Sequence, residues 1–303
     1  MRNPRHTLPV ARDLKRDGAD SASAVRAYYE SNTRLFLSLG IGGKTLALRR
    51  AVWADGVASL PQAVDYVNTL VAADALSCPA GRNGGALRVL DIGCGVGGSL
   101  VFLCGAAGAA LQGVGVTISP RQAEIARRQA RKRGFSGQLS FLSAEFTAVS
   151  GLPPFDCAFA IESFVHFATP AAFFAAAARS LVPGGRVIVV DDFLAENRLS
   201  RREVRLVRAF RRGWVLSALC PVSRAAQASA GCGLRLVEDR NLSARLAMLP
   251  MSFGVISLLA LLVHAVPLPW SYWRSTGGSL ALAACQKARL VEYHYLVFEK
   301  PEA

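Results

Sequence analysis

Histidine is scarce in this chain, with four in 303 residues, and acids are outnumbered, 21 Asp+Glu against 35 Lys+Arg. Four widely separated imidazoles do not build a zinc site, so no metal is expected. The seven cysteines, Cys78, Cys94, Cys104, Cys157, Cys220, Cys232 and Cys285, include no C-x-x-C pair. An odd number at scattered, mostly apolar positions argues against a disulfide framework and reads as buried, reduced thiols in a cytoplasmic protein. Met1 to Ser23 mixes Arg2, Arg5, Arg12, Lys15 and Arg16 with Asp13, Asp17 and Asp20. It lacks the apolar core of about 7–15 residues that a secretory signal needs, and a flexible tail is expected there. Uninterrupted apolar runs of spanning length, about 20 residues, are missing too. The longest, Met251 to Val266, is closed off by Pro250, Pro267 and Pro269, which suits a buried or interfacial helix better than a span. Nucleic-acid-binding motifs are also absent. The formal charge of +14 therefore points to phosphorylated small molecules or acidic lipid surfaces as partners.

What the chain has in quantity is apolar residues, 52% of the total, enough for a large core with apolar surface to spare. Its organising stretch is Val89 to Ser99, V-L-D-I-G-C-G-V-G-G-S. A strand covered on both faces reads as a short apolar run, and Gly93, Gly95, Gly97 and Gly98 stop this one abruptly. Glycine there allows turns with φ > 0 and lets the backbone lie against a ligand. Ser99 to Ala106 then resumes with helix-compatible residues. Strand, glycine loop and helix, in that order, build a cofactor site at the carboxyl end of the first strand of a doubly wound sheet. Gly93, Gly95 and Gly98 also satisfy the dinucleotide spacing G-x-G-x-x-G, but that fingerprint expects an acid about 20 residues on. Here Asp91 precedes the first glycine, and the second strand ends in Thr117.

D-I-G-C-G-V-G-G-S resembles the first motif of class I S-adenosylmethionine-dependent methyltransferases. The resemblance implies that Asp91, Gly93 and Gly95 border the methionine part of the cofactor, S-adenosyl-L-methionine. Gly115 to Gln122, G-V-T-I-S-P-R-Q, is similar to the G-x-T-x-S-x-x-Q of a subgroup that includes tocopherol, cyclopropane-fatty-acid, sterol and prenyl-diphosphate C-methyltransferases. It implies that Thr117, Ser119 and Gln122 replace the ribose-binding acid by neutral hydrogen bonds, with Ile118 beside the cofactor. S-A-E-F likewise implies Glu145 and Phe146 at the adenine, and L-V-P-G-G-R-V-I-V, from Leu181, is a further shared pattern. In this group an opening segment with tyrosines folds over the cofactor as a lid, which implies that role for Tyr28 and Tyr29; ordinary helix packing is the alternative for both.

Phe155 to His166, F-D-C-A-F-A-I-E-S-F-V-H, carries the residues expected to do chemistry. Its E-S-x-x-H again resembles the tocopherol, sterol and prenyl-diphosphate group, with Ile161 beside the cofactor, Glu162 catalytic and His166 assisting or merely packing. An alkene carbon that attacks a sulfonium methyl becomes a cation and must lose a proton. A carboxylate in an apolar cleft stabilises that charge and accepts the proton.

Two further regions are expected to select the substrate. Arg201 to Trp214 places Arg201, Arg205, Arg208 and Arg212 on one face of a helix, with Val204, Val207, Phe210 and Trp214 largely on another. Such a helix suits an anionic membrane, a substrate diphosphate, or plain solvation. Leu246 to Trp273 holds no Lys, Arg, Asp or Glu and reads as a cap. Apolar residues at helical spacing from Leu46 to Ala75 predict flanking helix. Strands are expected at Arg88–Ile92, Leu111–Ile118, Leu139–Phe146, from Phe155, at Arg186–Asp191, at Leu234–Asn241 and at Glu292–Lys300, the last antiparallel by the resemblance.

The expected fold class is α/β, a doubly wound seven-stranded Rossmann-like methyltransferase sheet with helical substrate-cap insertions. Residues 1–23 form the tail, 24–85 the lid and flank, and 86–303 the methyltransferase domain, with insertions near 195–222 and 244–290. The expected function is methyl transfer to a small hydrophobic substrate, first of all carbon methylation of a prenyl compound, with or without a diphosphate head, or of another lipid-like molecule. Oxygen or nitrogen methylation of a natural-product intermediate and a non-catalytic cofactor-binding scaffold are the alternatives. Peripheral membrane contact and a homo-oligomer stay open.

Overall fold

The computed structural model describes residues 21–39, 50–78, 85–266 and 271–302. Most of the expected tail, Leu46 and Leu48, the loop 79–84, and Pro267 and Pro269 lie outside the described residues. Seven strands form one sheet: β1 Leu87–Ile92, β2 Leu111–Thr117, β3 Leu139–Ser143, β4 Phe155–Ile161, β5 Leu181–Leu194, β6 Arg235–Asn241 and β7 Val291–Glu299. Their order is β3-β2-β1-β4-β5-β7-β6. β7 runs antiparallel to both its neighbours, and the pairs from β3 across to β5 are all parallel.

The central strands β1, β4, β5 and β7 are buried on both faces, as parallel sheets require, while the edge strands β3 and β6 are partly exposed. Along β5, Val187 and Val189 enter one apolar layer with Phe164, Phe173, Phe193 and Phe298, while Ile188 and Val190 enter the other with Leu100, Phe141, Tyr293 and Tyr295. This is the two-residue period of a strand supplying two cores at once. The helices of those layers are α1 Ser21–Leu39, α2 Leu60–Leu76, α3 Gly98–Ala107, α4 Pro120–Lys132, α5 Pro170–Ser180, α6 Arg201–Trp214, α7 Val222–Ala230, α8 Phe253–Ala265 and α9 Ser271–Lys287. α6 and α7 fall between β5 and β6, and α8 and α9 between β6 and β7.

Two local expectations are corrected. Among the described residues, 50–59 of the stretch read as helical from Leu46 are not helix, and the helix starts at Leu60. Ser59 and Gln62 form a capping box that starts α2 there, with Pro61 in its first turn. Val52 instead makes an isolated antiparallel bridge to Leu246. The fifth strand, expected at Arg186–Asp191, already begins at Leu181, so the L-V-P-G-G segment belongs to β5. Register shifts between the Phe155–Leu181 and Cys157–Arg186 pairs, and Gly184, at φ +74, absorbs the irregularity.

In the cap, α6 and α8 both lie against α9. A Cβ on Gly213 would come 2.4 Å from Gly278 Cα, and one on Gly277 would come 2.9 Å from the His264 ring and from Val263. Glycine is needed at these crossings because the helices approach too closely for any side chain.

Candidate active site

The glycine loop leaves β1 at the carboxyl edge of the sheet. Gly93 and Cys94 both donate their N–H to Val116 O, at 2.8 and 2.9 Å, which ties the loop to β2. Gly93, Gly95 and Gly97 have φ of 83, 52 and 81°. A Cβ on Gly93 would meet Ser163 Cβ at 2.4 Å, and one on Gly97 would meet Ala126 Cβ and the Phe141 ring at 2.9 Å. Gly95 has nothing within 4 Å of that position. Packing therefore demands two of these glycines, whereas the third offers bare backbone to open space, as a cofactor cradle does. Asp91 is buried at the end of β1. Burial, and then the Asp91 charge, push the Cys94 thiol well above its usual value, so it is not a nucleophile.

At the end of β2 the polar groups are knitted together. Thr117 Oγ1 donates to Gln122 Oε1 at 2.8 Å, and Gln122 Nε2 donates to Thr33 Oγ1 of α1 at 3.3 Å. Glu30, also on α1, accepts from Ser119 Oγ and from Arg121 N at the start of α4. A carboxylate is thus present beside this edge after all, but it is delivered from another helix. Ile118 and Ile161 are half-buried. Glu145 is exposed after β3 and accepts from Thr147 Oγ1, while Phe146 is buried edge-on to Phe167.

Glu162 follows β4 directly, with φ 51°, a left-handed conformation that costs a non-glycine residue about 1–3 kcal/mol. Its N–H is held by Val190 O at 2.8 Å. Its Oε1 accepts from Arg50 N and from the Tyr293 hydroxyl, both at 3.0 Å. Among the described residues, no hydrogen bond reaches Oε2. The next residue, Ser163, packs on Gly93 and donates to Ile92 O at 2.5 Å, so the acid turn rests on the glycine loop.

Beneath Glu162 sits a buried ionic cluster. Arg50 grips Asp192 with both terminal nitrogens, at 2.8 and 2.5 Å, and its guanidinium lies 4.4 Å from the Tyr293 ring centre. Burial opposes the guanidinium charge, but Asp192 and Glu162 outweigh it and hold the group above its ordinary value. Asp191 accepts from Asp192 N and Val165 N. Burial, followed by the Asp192 charge, pushes its carboxyl well up.

His166 Nδ1 lies 3.2 Å from Val215 O, so that nitrogen is the donor and Nε2 accepts the Tyr29 hydroxyl at 2.9 Å. Burial lowers this imidazole to about 4 and keeps it neutral. Tyr28, edge-on to Tyr29, bonds Ser275 of α9 at 2.8 Å. Consecutive residues Tyr28, Tyr29 and Glu30 thereby tie α1 to the cap, to His166 and to α4 in turn.

The structure thus brings Tyr29, Glu162 and His166 around one edge and places Asp91, Gly93, Gly95, Thr117 and Gln122 beside them. Arg201 and Arg205 are exposed on α6, and Arg208 is half-buried. Trp214 fills the α6–α9 seam, its Nε1 donating to Ser275 O at 3.3 Å. No hydrogen bond or ion pair joins Arg201, Arg205 or Trp214 to Glu162 among the described residues. Arg50, Tyr293, Asp192 and Glu30 were not expected from the sequence. Only the aspartates left a signal: adjacent acids closing an apolar strand, V-I-V-V-D-D.

The family model described as Methyltransferase domain matches residues 89–185. The sterol 24-C-methyltransferase ERG6A of Gibberella zeae is 33% identical over 171 residues, 54% of this chain and 43% of that protein. The probable chloroplastic tocopherol O-methyltransferase of Oryza sativa subsp. japonica is 27% identical over 224 residues, 71% of this chain and 60% of that protein. The chain thus spans about half the length of these curated relatives. Among solved structures, the [4+2]-cyclase SpnF superimposes with a TM-score of 0.70 at 24% identity, covering 93% of this chain and 97% of that one. Residues 89–185, from the glycine loop into the fifth strand, thus match a methyltransferase domain.

Proposed function

We propose that this protein transfers a methyl group from S-adenosylmethionine to a small hydrophobic, lipid-like acceptor, with carbon methylation of a prenyl or sterol-like alkene as the reaction. The observation that carries the proposal is the setting of Glu162. One carboxylate oxygen is pinned by Arg50 and Tyr293, and the other is left for a substrate, in a turn seated on the glycine loop. Bound S-adenosylmethionine would supply an electrophilic methyl on a sulfonium. The open backbone at Gly95 fits it, with Asp91 and Gly93 on the methionine side. Thr117 and Gln122 stand on the ribose side, where a hydroxyl would replace the Thr33 bond, and Glu145 and Phe146 follow on the adenine side. Glu162 Oε2 stabilises the cation formed on the acceptor and takes its proton, a contribution of about 10²–10⁴-fold for a positioned base. Orientation of the acceptor carbon contributes further, since alignment removes up to about 7–11 kcal/mol of barrier. Tyr28 and Tyr29 close the site from α1 and keep water from the cation. The sterol and tocopherol relatives favour a greasy acceptor; the outward setting of Arg201 and Arg205 gives a diphosphate head no special support.

One observation favours a second reading, oxygen methylation. His166 is neutral, and its Nε2 is an acceptor that would take a phenol proton once Tyr29 moves aside. The experiment is methyl transfer from labelled cofactor to a panel of sterols, quinols and prenyl diphosphates, with product mass and position determined. Glu162→Gln should lower carbon methylation at least about 100-fold while calorimetry shows unchanged cofactor binding. Full activity in that variant overturns the assignment of the base, and loss confined to a His166 variant selects the oxygen reading.

A further inference from the structure

The outer face of α8 is apolar and uncovered. Val255, Leu258, Leu259, Leu262 and Val266 recur at helical spacing and are 37–58% exposed, while Ile256, Ser257 and Ala260 take the buried face. Met248 and Leu249, just ahead of the helix, are also exposed. A contiguous patch of large apolar side chains on a water-facing surface marks an interaction site. The face is firmly held. Lys287 Nζ donates to Leu249 O at 3.0 Å and also to Met251 O. Trp273 Nε1 donates to Val263 O and Val266 O at 3.0 and 2.8 Å. Gly277 lets α9 close against the far end of the same helix.

Charge identifies what it faces. Arg202 of α6 lies 5.5 Å from the Phe253 ring centre, so the two helices start together. Gly213 of α6 and the Val263–His264 end of α8 both rest on residues 274–278 of α9, so the two helices also end together. They run side by side, one with Arg201, Arg202 and Arg205 exposed, the other without any Lys, Arg, Asp or Glu. An apolar row bordered by arginines is the composition of a helix that lies in a lipid interface, and arginines at that height are drawn to anionic headgroups. A second copy of the chain would instead bring two arginine borders together, in molecules of net charge +14. Crossing is ruled out for the described helices, since none is long and apolar enough.

We propose that the outer face of α8, with the exposed arginines of α6, docks the protein on the surface of an anionic lipid bilayer. α9 lies behind that face and carries Ser275, the partner of Tyr28, so the docked cap adjoins the helix that closes the site. The surface does not depend on which atom is methylated.

The test is co-sedimentation of the full chain with phosphatidylcholine vesicles prepared with and without phosphatidylglycerol. The wild type should partition onto the anionic vesicles and much less onto the neutral ones. Leu258→Glu with Leu262→Glu should weaken that partitioning roughly tenfold or more. Arg202→Gln with Arg205→Gln should weaken it roughly fivefold per arginine, for anionic vesicles only. Cofactor calorimetry on each variant should be unchanged, which shows that it is folded and reads the chemistry separately. The proposal is overturned if the wild type stays in the supernatant with both vesicles, or if the leucine variant sediments like the wild type. It is equally overturned if light scattering shows a dimer that the leucine variant splits, since the face would then join two chains.

Discussion

The two halves of the site are built by opposite means. The glycine-loop half is local: Asp91 to Gly98 turn from β1 into α3, with Gly93 and Gly97 set by the side chains beside them and Gly95 left open. The acid half is collected from across the fold. Glu162 is held by Arg50, 112 residues before it, and by Tyr293, 131 residues after it. A local site depends on backbone shape, so its failures should be steric. A collected site depends on charges buried together, so its failures should be electrostatic and should reach the stability of the whole molecule.

The largest effect should come from the collected half. Arg50→Ala would leave Asp192 buried without its counter-charge, and breaking such a pair costs about 3–5 kcal/mol. Urea denaturation should show a loss of that size; a change below about 1 kcal/mol, the range of an exposed pair, would mean that the cluster is solvated. The glycine loop should respond differently at each of its positions. Gly93→Ala combines a positive φ with a Cβ at 2.4 Å from Ser163 and should cost about 3 kcal/mol. Gly95→Ala meets no neighbour, so it should cost about 1 kcal/mol in stability and show itself in weaker cofactor binding by calorimetry. Equal stability losses would erase the distinction between a packing glycine and a ligand glycine.

The third probe is pH. His166 is lowered from 6.5 to about 4 by burial. As pH falls through 6.5 the unfolded chain takes up this proton and the folded chain does not, so stability drops until about pH 4, by at most about 3 kcal/mol. His166→Asn should lack that component. Comparing denaturation of both proteins at about pH 7 and about pH 4.5 isolates it. Parallel losses would show that the wild-type imidazole is not buried in its neutral form.

The same contrast explains what the sequence disclosed. The antiparallel last strand was implied only by the resemblance, whereas the strand, loop and helix around Val89–Ser99, the T-x-S-x-x-Q segment and the E-S-x-x-H turn all sit within short windows where residue type and backbone shape are linked. Glu162 stood out for that reason. Arg50 did not, because nothing near it marks an arginine that will be buried, and the periodicity around it suggested a helix that Ser59 in fact begins later. Tyr293 was read only as a strand residue. Its hydroxyl matters because β7 pairs with β5, and that pairing is invisible within Glu292–Lys300. Glu30 brings a carboxylate to the end of β2 from a separate helix, a placement that no spacing rule could reveal.

The insertion of β7 between β5 and β6 governs the order in which the molecule becomes competent. Chains emerge from the ribosome with their earlier residues first. Until residues 291–299 exist, β6 has no neighbour in the sheet, and Glu162 lacks the phenol that pins it. A nascent polypeptide can therefore shape its glycine-loop cleft early while its acid has only Arg50 to hold it, and the second anchor arrives in a late step when the closing strand slides home.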